Sequence, residues 1–117
     1  MDTLTPGSLL AQTRPANTSA ATAYTAVVHT EIIRIVVCNT TGSAATYRLF
    51  HHNSGSTYDQ TTALRYDVSI AANAFAEVLS EPGSGIAISK TGTLGVQTGT
   101  GSALTFTVYG RIARQTG

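Results

Sequence analysis

The segment Glu31-Ile-Ile-Arg-Ile-Val-Val-Cys-Asn39 decides the fold. It is apolar at both odd and even positions except at Arg34, and such a run predicts a β-strand that is covered on both of its faces. We expect a second sheet to cover one face and a neighbouring chain to cover the other. Ile33, Ile35 and Val37 are therefore candidate interface residues.

A second segment, Leu64-Arg-Tyr-Asp-Val-Ser-Ile70, alternates between apolar and polar residues. This period of two predicts a strand with one buried face and one face in water. The side chains expected to point towards the core are those of Leu64, Tyr66, Val68 and Ile70, and those expected to point to solvent are those of Arg65, Asp67 and Ser69.

From Tyr24 onward the chain contains about eight short strand-like runs separated by turn residues. The runs lie near 23–29, 31–39, 44–52, 63–70, 74–79, 85–90, 93–97 and 103–112. Their connectors are rich in Thr, Gly, Ser and Asn, which favour turns. The sequence therefore predicts an all-β protein, an antiparallel β-sandwich that is jelly-roll-like and has about eight short strands.

Residues 1–22 depart from this pattern, so we divide the chain into an N-terminal arm at 1–22 and a β-sandwich domain at 23–117. Pro6 and Pro15 exclude a regular helix or a central strand in the arm. Two interpretations stay open: a frayed terminus, or an extended arm that becomes ordered against a neighbouring molecule. In the second interpretation Arg14 is a charge-assisted anchor. The apolar anchors are Leu4, Leu9 and Leu10.

The composition indicates one domain that covers much of its surface with other protein. Charged residues make up 11% of the 117 residues, less than half of the usual value of about 25%. Because the basic residues are scattered, a nucleic-acid-binding role is not expected. No stretch is apolar enough for a membrane helix and the N-terminus has no signal-peptide pattern, so we expect no membrane association.

The residues that could carry chemistry form no recognisable catalytic or metal-binding pattern. His51 and His52 are neighbours on a predicted strand, so their side chains point to opposite faces and cannot easily bind one ion together. No pair of carboxylates and no nucleophile motif is nominated by spacing. We therefore expect no enzyme activity, no cofactor and no metal. Tyr58, in the loop 53–61, is the best candidate for an exposed contact, including a platform for a sugar.

Several segments resemble the small virion proteins of tailed bacteriophages, over roughly residues 22–80. The resemblance is carried by an opening strand, a hydrophobic strand that ends in Cys-Asn, an Ala-Thr-x-Arg strand and a late Ile-Ala-Ala-Asn turn. In this chain they are Tyr24-Thr-Ala-Val-Val28, Ile32-Ile-Arg-Ile-Val-Val-Cys-Asn39, Ala45-Thr-Tyr-Arg-Leu49 and Ile70-Ala-Ala-Asn73.

This resemblance implies a homo-oligomeric β-sandwich, with a trimer as the expected assembly. It implies a capsid decoration (cement) protein that binds major capsid subunits, located in the virion and assembled in the cytoplasm of the bacterial host. The alternative is a component of the tail, the baseplate or the fibre attachment that contacts host glycans. A third hypothesis, from a different class, is a small glycan-binding module or hydrolase. The resemblance brings no catalytic residues to this chain.

Overall fold

The structure is a computed structural model and describes residues 3–4, 7–79 and 85–114. These residues form ten β-strands and no helix. In chain order the strands are β1 (Thr3–Leu4), β2 (Ser8–Thr13), β3 (Ala21–Thr25), β4 (Thr30–Asn39), β5 (Ala45–His52), β6 (Ala63–Ile70), β7 (Phe75–Leu79), β8 (Ile86–Ile88), β9 (Thr93–Thr98) and β10 (Leu104–Arg114). The eight runs expected from the sequence correspond to β3 through β10.

The strands form two antiparallel sheets. In the first sheet, β10 and β4 are central neighbours; β1 and β2 pair with successive parts of β10, and β7 and β8 pair with successive parts of β4. The second sheet has the order β3-β9-β5-β6. The sandwich predicted from the sequence is confirmed.

The strand pairs are nested within one another along the chain. β5 pairs with β6, β4 pairs with β7 and β8, β3 pairs with β9, and β2 pairs with β10. This is the pairing of a single long hairpin that has been rolled into two packed sheets, which is the jelly-roll arrangement. As a result, the innermost pair, β5 and β6, lies in the second sheet, and the outermost pair, β2 and β10, lies in the first sheet.

The core lies between the two sheets and is built from alternate residues of the central strands. Ile35 and Val37 of β4 and Phe106 of β10 are fully buried there. Phe106 meets Tyr47 of the second sheet edge to face, with ring centroids 6.4 Å apart. Each such buried side chain contributes about 1.5–3 kcal/mol through the hydrophobic effect. Ile35 and Val37, expected at an interface between chains, are therefore core residues of their own chain.

The N-terminal segment is extended, and strand β2 forms hydrogen bonds with β10 of the same chain. Within β2, Leu10 and Ala11 pack partly against the core. Among the described residues, β2 pairs with β10 alone, and Pro6 lies outside those residues. The part of the arm at 8–13 is thus the outer strand of the first sheet.

The alternation expected for Leu64–Ile70 is interrupted by a β-bulge. In the register between β5 and β6, Tyr47 faces Val68 and Leu49 faces Arg65, so Tyr66 and Asp67 together oppose the single residue Arg48. The expectation that Tyr66 points to the core is wrong: its side chain is 40% exposed, and the Arg48 guanidinium lies over its ring. A period-two pattern cannot reveal a bulge, because the extra residue shifts every later side chain by one position.

Candidate functional site

The first candidate surface is the outer face of the first sheet, made by Leu9, Val36, Cys38, Phe75 and Tyr109. Val36 and Cys38 alternate with core residues of β4 and therefore point away from the core. Cys38 is directly opposite Phe75, and Leu9 is directly opposite Tyr109, so each pair shares a face. Phe75 is 62% exposed and Leu9 is 54% exposed. Polar residues share this face, because Thr105 is opposite Cys38 and Thr107 is opposite both Val36 and Gln12. The face is therefore mixed, and its most exposed apolar side chains are Phe75 on β7 and Leu9 on β2.

The charges on this outer face are paired. Arg34 Nη2 lies 3.2 Å from Glu77 Oε1, and the Arg34 guanidinium lies 5.6 Å from the centre of the Tyr109 ring. An exposed ion pair of this kind contributes about 0–1 kcal/mol to stability. The pair lies within the face, since Arg34 is opposite Tyr109 and Glu77 is opposite Val36. Because its two charges are balanced, another protein surface could cover the face without meeting an unpaired charge at this pair.

The other residues proposed from the sequence as interface residues lie in different surroundings. Leu4 is in β1, opposite Ala113, and its side chain is outside the described part of the chain. Leu10 is half-buried and packs on the core. Arg14 donates a hydrogen bond from Nε to the Ser102 carbonyl oxygen over 3.1 Å, so it binds to its own chain and not to a neighbouring molecule through this group. Ile33 is half-buried at a bulge in β4.

The second candidate surface is a groove on the outer side of the second sheet. It consists of two adjoining cavities of about 260 Å³ and 660 Å³, and Arg48 and Gln97 line both. We define the groove by Arg48, Tyr58, Asp59, Tyr66, Asp67 and Gln97. These side chains come from three strands and one loop, and they supply two aromatic rings, one guanidinium, one amide and two carboxylates.

Arg48 is held in the middle of the groove by three neighbours. Its Nε and Nη2 donate to the two carboxylate oxygens of Asp67, over 2.6 Å and 3.2 Å, and its Nη1 donates to Gln97 Oε1 over 3.4 Å. The guanidinium carbon lies 3.9 Å from the centre of the Tyr66 ring. Hydrogen bonding to Arg48 lowers the pKa of Asp67, and the same bonds raise the pKa of Arg48. Both groups therefore stay charged at neutral pH.

Tyr58 forms a wall of the groove. Its ring stacks on Phe50 with centroids 5.7 Å apart, and its hydroxyl group is 2.6 Å from Thr22 Oγ1. The ring also lies over Gly95, where an added Cβ would come within 2.6 Å of it. Tyr58 is thus half-buried, and the loop that carries it folds back over the outer side of the second sheet.

Asp59 is fixed beside Tyr58 by its own loop. Its Oδ1 accepts hydrogen bonds from Thr61 N over 2.9 Å and from Thr61 Oγ1 over 2.6 Å. These hydrogen bonds, chiefly the one from the Thr61 hydroxyl, lower the pKa of Asp59. The loop therefore presents an ionised carboxylate in a defined position at the edge of the groove.

The histidine pair lies in β5, next to this loop. His52 Nδ1 accepts a hydrogen bond from Ser54 N over 3.1 Å, whereas His51 Nε2 is buried without a hydrogen-bond partner. Burial, followed by the charge of His52, lowers the pKa of His51. Among the described residues, no group of three His, Cys, Asp or Glu side chains is placed to hold a metal ion. The described residues contain no helix that is long and apolar enough to span a membrane.

Of the groove residues, the sequence nominated only Tyr58. Arg48, Tyr66, Asp67 and Gln97 were missed because the bulge in β6 brings the first three together, and a bulge leaves no trace in hydrophobic periodicity. Asp67 itself has a backbone φ of 51°. Aspartate tolerates this left-handed region better than most residues do. An aspartate at position 67 is therefore only a weak indication of a bulge in the sequence.

Two comparisons, with protein-family models and with curated proteins, identify no relative. No protein-family model matches the chain, and a search of curated proteins finds no match. The two surfaces described above, and the resemblance carried by the strand segments, are therefore the basis on which a function is inferred.

Proposed function

We propose that this chain is a non-enzymatic structural protein of a phage particle, a capsid decoration protein that stabilises the head by binding major capsid subunits. The proposal is supported by the resemblance to small virion proteins and by the jelly-roll sandwich, an architecture that viral capsid proteins use. It locates the protein in the virion, after assembly in the cytoplasm of the bacterial host.

The observation that carries the proposal is the outer face of the first sheet. Phe75 and Leu9 project from it, and burying an apolar side chain of this size is worth about 1.5–3 kcal/mol. They lie on the two outer strands of this part of the sheet, β7 and β2, so a neighbouring chain that covers either strand would bury one of them. With only 11% charged residues in the chain, the protein has little charge with which to keep copies apart.

In this proposal the outer face of the first sheet meets other copies of the chain, and the expected assembly is a homotrimer. The strand β2 borders that face and pairs on one side only in the described part of the chain. An edge strand of this kind can accept a further strand through main-chain hydrogen bonds. We assign this edge to contact with the capsid subunits.

The homo-oligomer is tested by light scattering and sedimentation of the purified protein. We expect a trimer that Phe75→Ser converts to smaller species, because the substitution removes the most exposed ring of the outer face. The matched control is Val27→Ser, since Val27 is 70% exposed but lies between β3 and β4. A monomer at micromolar concentration, or equal behaviour of the two variants, would contradict this part of the proposal.

The place in the particle is tested by quantitative mass spectrometry of purified virions of the phage that encodes the chain. A decoration protein should be present in a number comparable to that of the major capsid protein and should be lost from heads when Phe75 is replaced by Ser. Absence from purified virions would contradict the structural role itself.

A second candidate, a component of the tail, the baseplate or the fibre attachment, is favoured by one specific observation, the groove on the second sheet. A protein that touches the host surface has use for a polar, aromatic-lined groove, whereas a purely stabilising protein does not. In the mass-spectrometry experiment this candidate predicts only a few copies per virion, in the tail fraction.

A further inference from the structure

We propose that the groove on the second sheet binds a short, uncharged oligosaccharide, with Tyr66, Arg48 and Asp67 as its central contacts. This binding site is additional to the proposed structural role and does not depend on it, because the groove lies on the second sheet and the proposed interface lies on the outer face of the first sheet.

The first argument is the chemistry of the groove lining. A sugar ring presents hydroxyl groups around its edge and C–H groups on its faces, so it needs planar hydrogen-bonding partners beside an apolar surface. The larger cavity supplies the amide of Gln97 and the ring of Tyr66, which is 40% exposed. The smaller cavity, which shares Arg48 and Gln97 with it, supplies the carboxylate of Asp67. A few precisely placed polar groups beside aromatic surface are typical of small-ligand sites.

The second argument is the charge of the groove. The positive charge of Arg48 is matched by Asp67 through two hydrogen bonds, and Asp59 adds a further negative charge at the edge. A phosphate group, a nucleic acid or an acidic sugar requires an excess of positive charge, which these side chains do not provide. These side chains supply one positive and two negative charges, and the hydroxyl groups of an uncharged ligand can donate hydrogen bonds to the two carboxylates.

The third argument is the bulge that creates the site. Two residues of β6, Tyr66 and Asp67, oppose Arg48, and Asp67 adopts a φ of 51°. A regular strand would send these two side chains to opposite faces, whereas the bulge directs both to Arg48. Bulges are over-represented next to active sites, where they redirect a side chain.

The fourth argument is that the groove is already formed without a ligand. Gln97 donates from Nε2 to the Thr18 carbonyl oxygen over 2.9 Å, and Tyr58 is held by Phe50 and Thr22. A ligand would therefore lose little affinity in ordering these side chains. The larger cavity, about 660 Å³, lies within the range of about 300–1,000 Å³ that is usual for small-molecule sites.

The test starts with the full chain on an array of immobilised neutral and acidic oligosaccharides of bacterial surface type. Any neutral oligosaccharide that binds is then titrated in solution, and the NMR signals of the Gln97 side-chain amide and of Arg48 Nε–H are followed. We expect both signals to shift upon titration. Absence of binding by every neutral oligosaccharide at millimolar concentration, or binding by acidic ones alone, overturns the proposal.

Two substitutions locate the site, and a third serves as a control. Tyr66→Ala should weaken the affinity at least about tenfold, which corresponds to the loss of one good contact. Asp67→Asn keeps the shape and tolerates the positive φ, and it should weaken binding while leaving the fold intact. The control is Tyr109→Ala, because Tyr109 carries an arginine over its ring in the same manner but on the first sheet. Equal losses for Tyr66→Ala and Tyr109→Ala would overturn the assignment.

The outcome is separable from that of the proposed structural role. If the protein is absent from virions but binds a neutral oligosaccharide, the structural role is contradicted and the oligosaccharide site is supported. If the protein decorates virions but its Gln97 and Arg48 signals stay unchanged with every neutral oligosaccharide, the structural role is supported and the oligosaccharide site is contradicted.

Discussion

Neighbouring residues of β4 have opposite surroundings, and this allows folding to be separated from assembly. Ile35 is fully buried between the sheets, whereas Val36 lies on the outer face opposite Glu77. Ile35→Asp should prevent folding, because an unpaired buried carboxylate costs several kcal/mol. Val36→Asp should cost about 1 kcal/mol, mainly by repulsion from Glu77, and should weaken self-association. Circular dichroism and light scattering measure the two effects; loss of folding in both variants would contradict this assignment of faces.

His51 gives the protein a dependence of stability on pH. Its pKa is lowered from 6.5 by burial and by His52, so below that value the unfolded chain binds a proton more readily than the folded chain does. The stability is therefore full above pH 6.5 and decreases as the pH falls towards the lowered pKa. Melting temperatures measured from pH 7.5 to pH 5 should fall on acidification. His51→Gln should make the profile flatter; a profile identical to that of the unsubstituted protein would contradict this origin.

At the scale of elements, the loop 53–62 is attached to the second sheet by the fit of Tyr58 against Gly95. Gly95→Ala would place a Cβ within 2.6 Å of the Tyr58 ring, forcing the ring away from Phe50. We expect a loss of about 1–3 kcal/mol, measured by denaturant unfolding. Gly42→Ala is the control, since no heavy atom lies within 4 Å of its added Cβ. In a Tyr58→Ala background the cost of Gly95→Ala should largely vanish; a persistent cost would point to a different cause.

Strand β2 should contribute to the stability of the sandwich through one of its two leucines. Leu10 packs partly on the core, whereas Leu9 is 54% exposed. Leu10→Ala should therefore lower the free energy of unfolding by about 1–2 kcal/mol, and Leu9→Ala should change it by less than about 0.5 kcal/mol. Denaturant unfolding at low protein concentration compares the two variants. Equal effects would mean that β2 is not docked on β10 in solution.

The sequence predicted elements well where a simple period applied and poorly where the backbone departed from it. The strands β4 and β10 were found close to their true limits because apolar alternation and turn residues mark them. β2 was missed as a strand of the sandwich because an edge strand buries few side chains and prolines flank it. The groove was missed because Tyr66 and Asp67 meet Arg48 only through a bulge.

At the scale of the whole molecule, the two sheets present surfaces of different chemistry on opposite sides. The outer face that carries Phe75 belongs to the first sheet and the groove belongs to the second, so substitutions in them should act independently. Phe75→Ser should reduce oligomer formation without changing the affinity of each chain for an oligosaccharide. Tyr66→Ala should have the reverse effect. Calorimetry and light scattering on both variants make the comparison; coupled losses would indicate that the surfaces are not separate.

The nested pairing also has a consequence for synthesis of the chain. β2 is synthesised before its partner β10, and the strands β3 to β9 lie between the two in the chain. Until β10 has left the ribosome, the hydrogen-bonding groups of β2 have no β10 to meet, whereas the inner pair of β5 and β6 already has both members. A ribosome-bound chain that stops before residue 104 should consequently be cut by protease within 8–13, and a chain that extends through β10 should be protected at the same bonds.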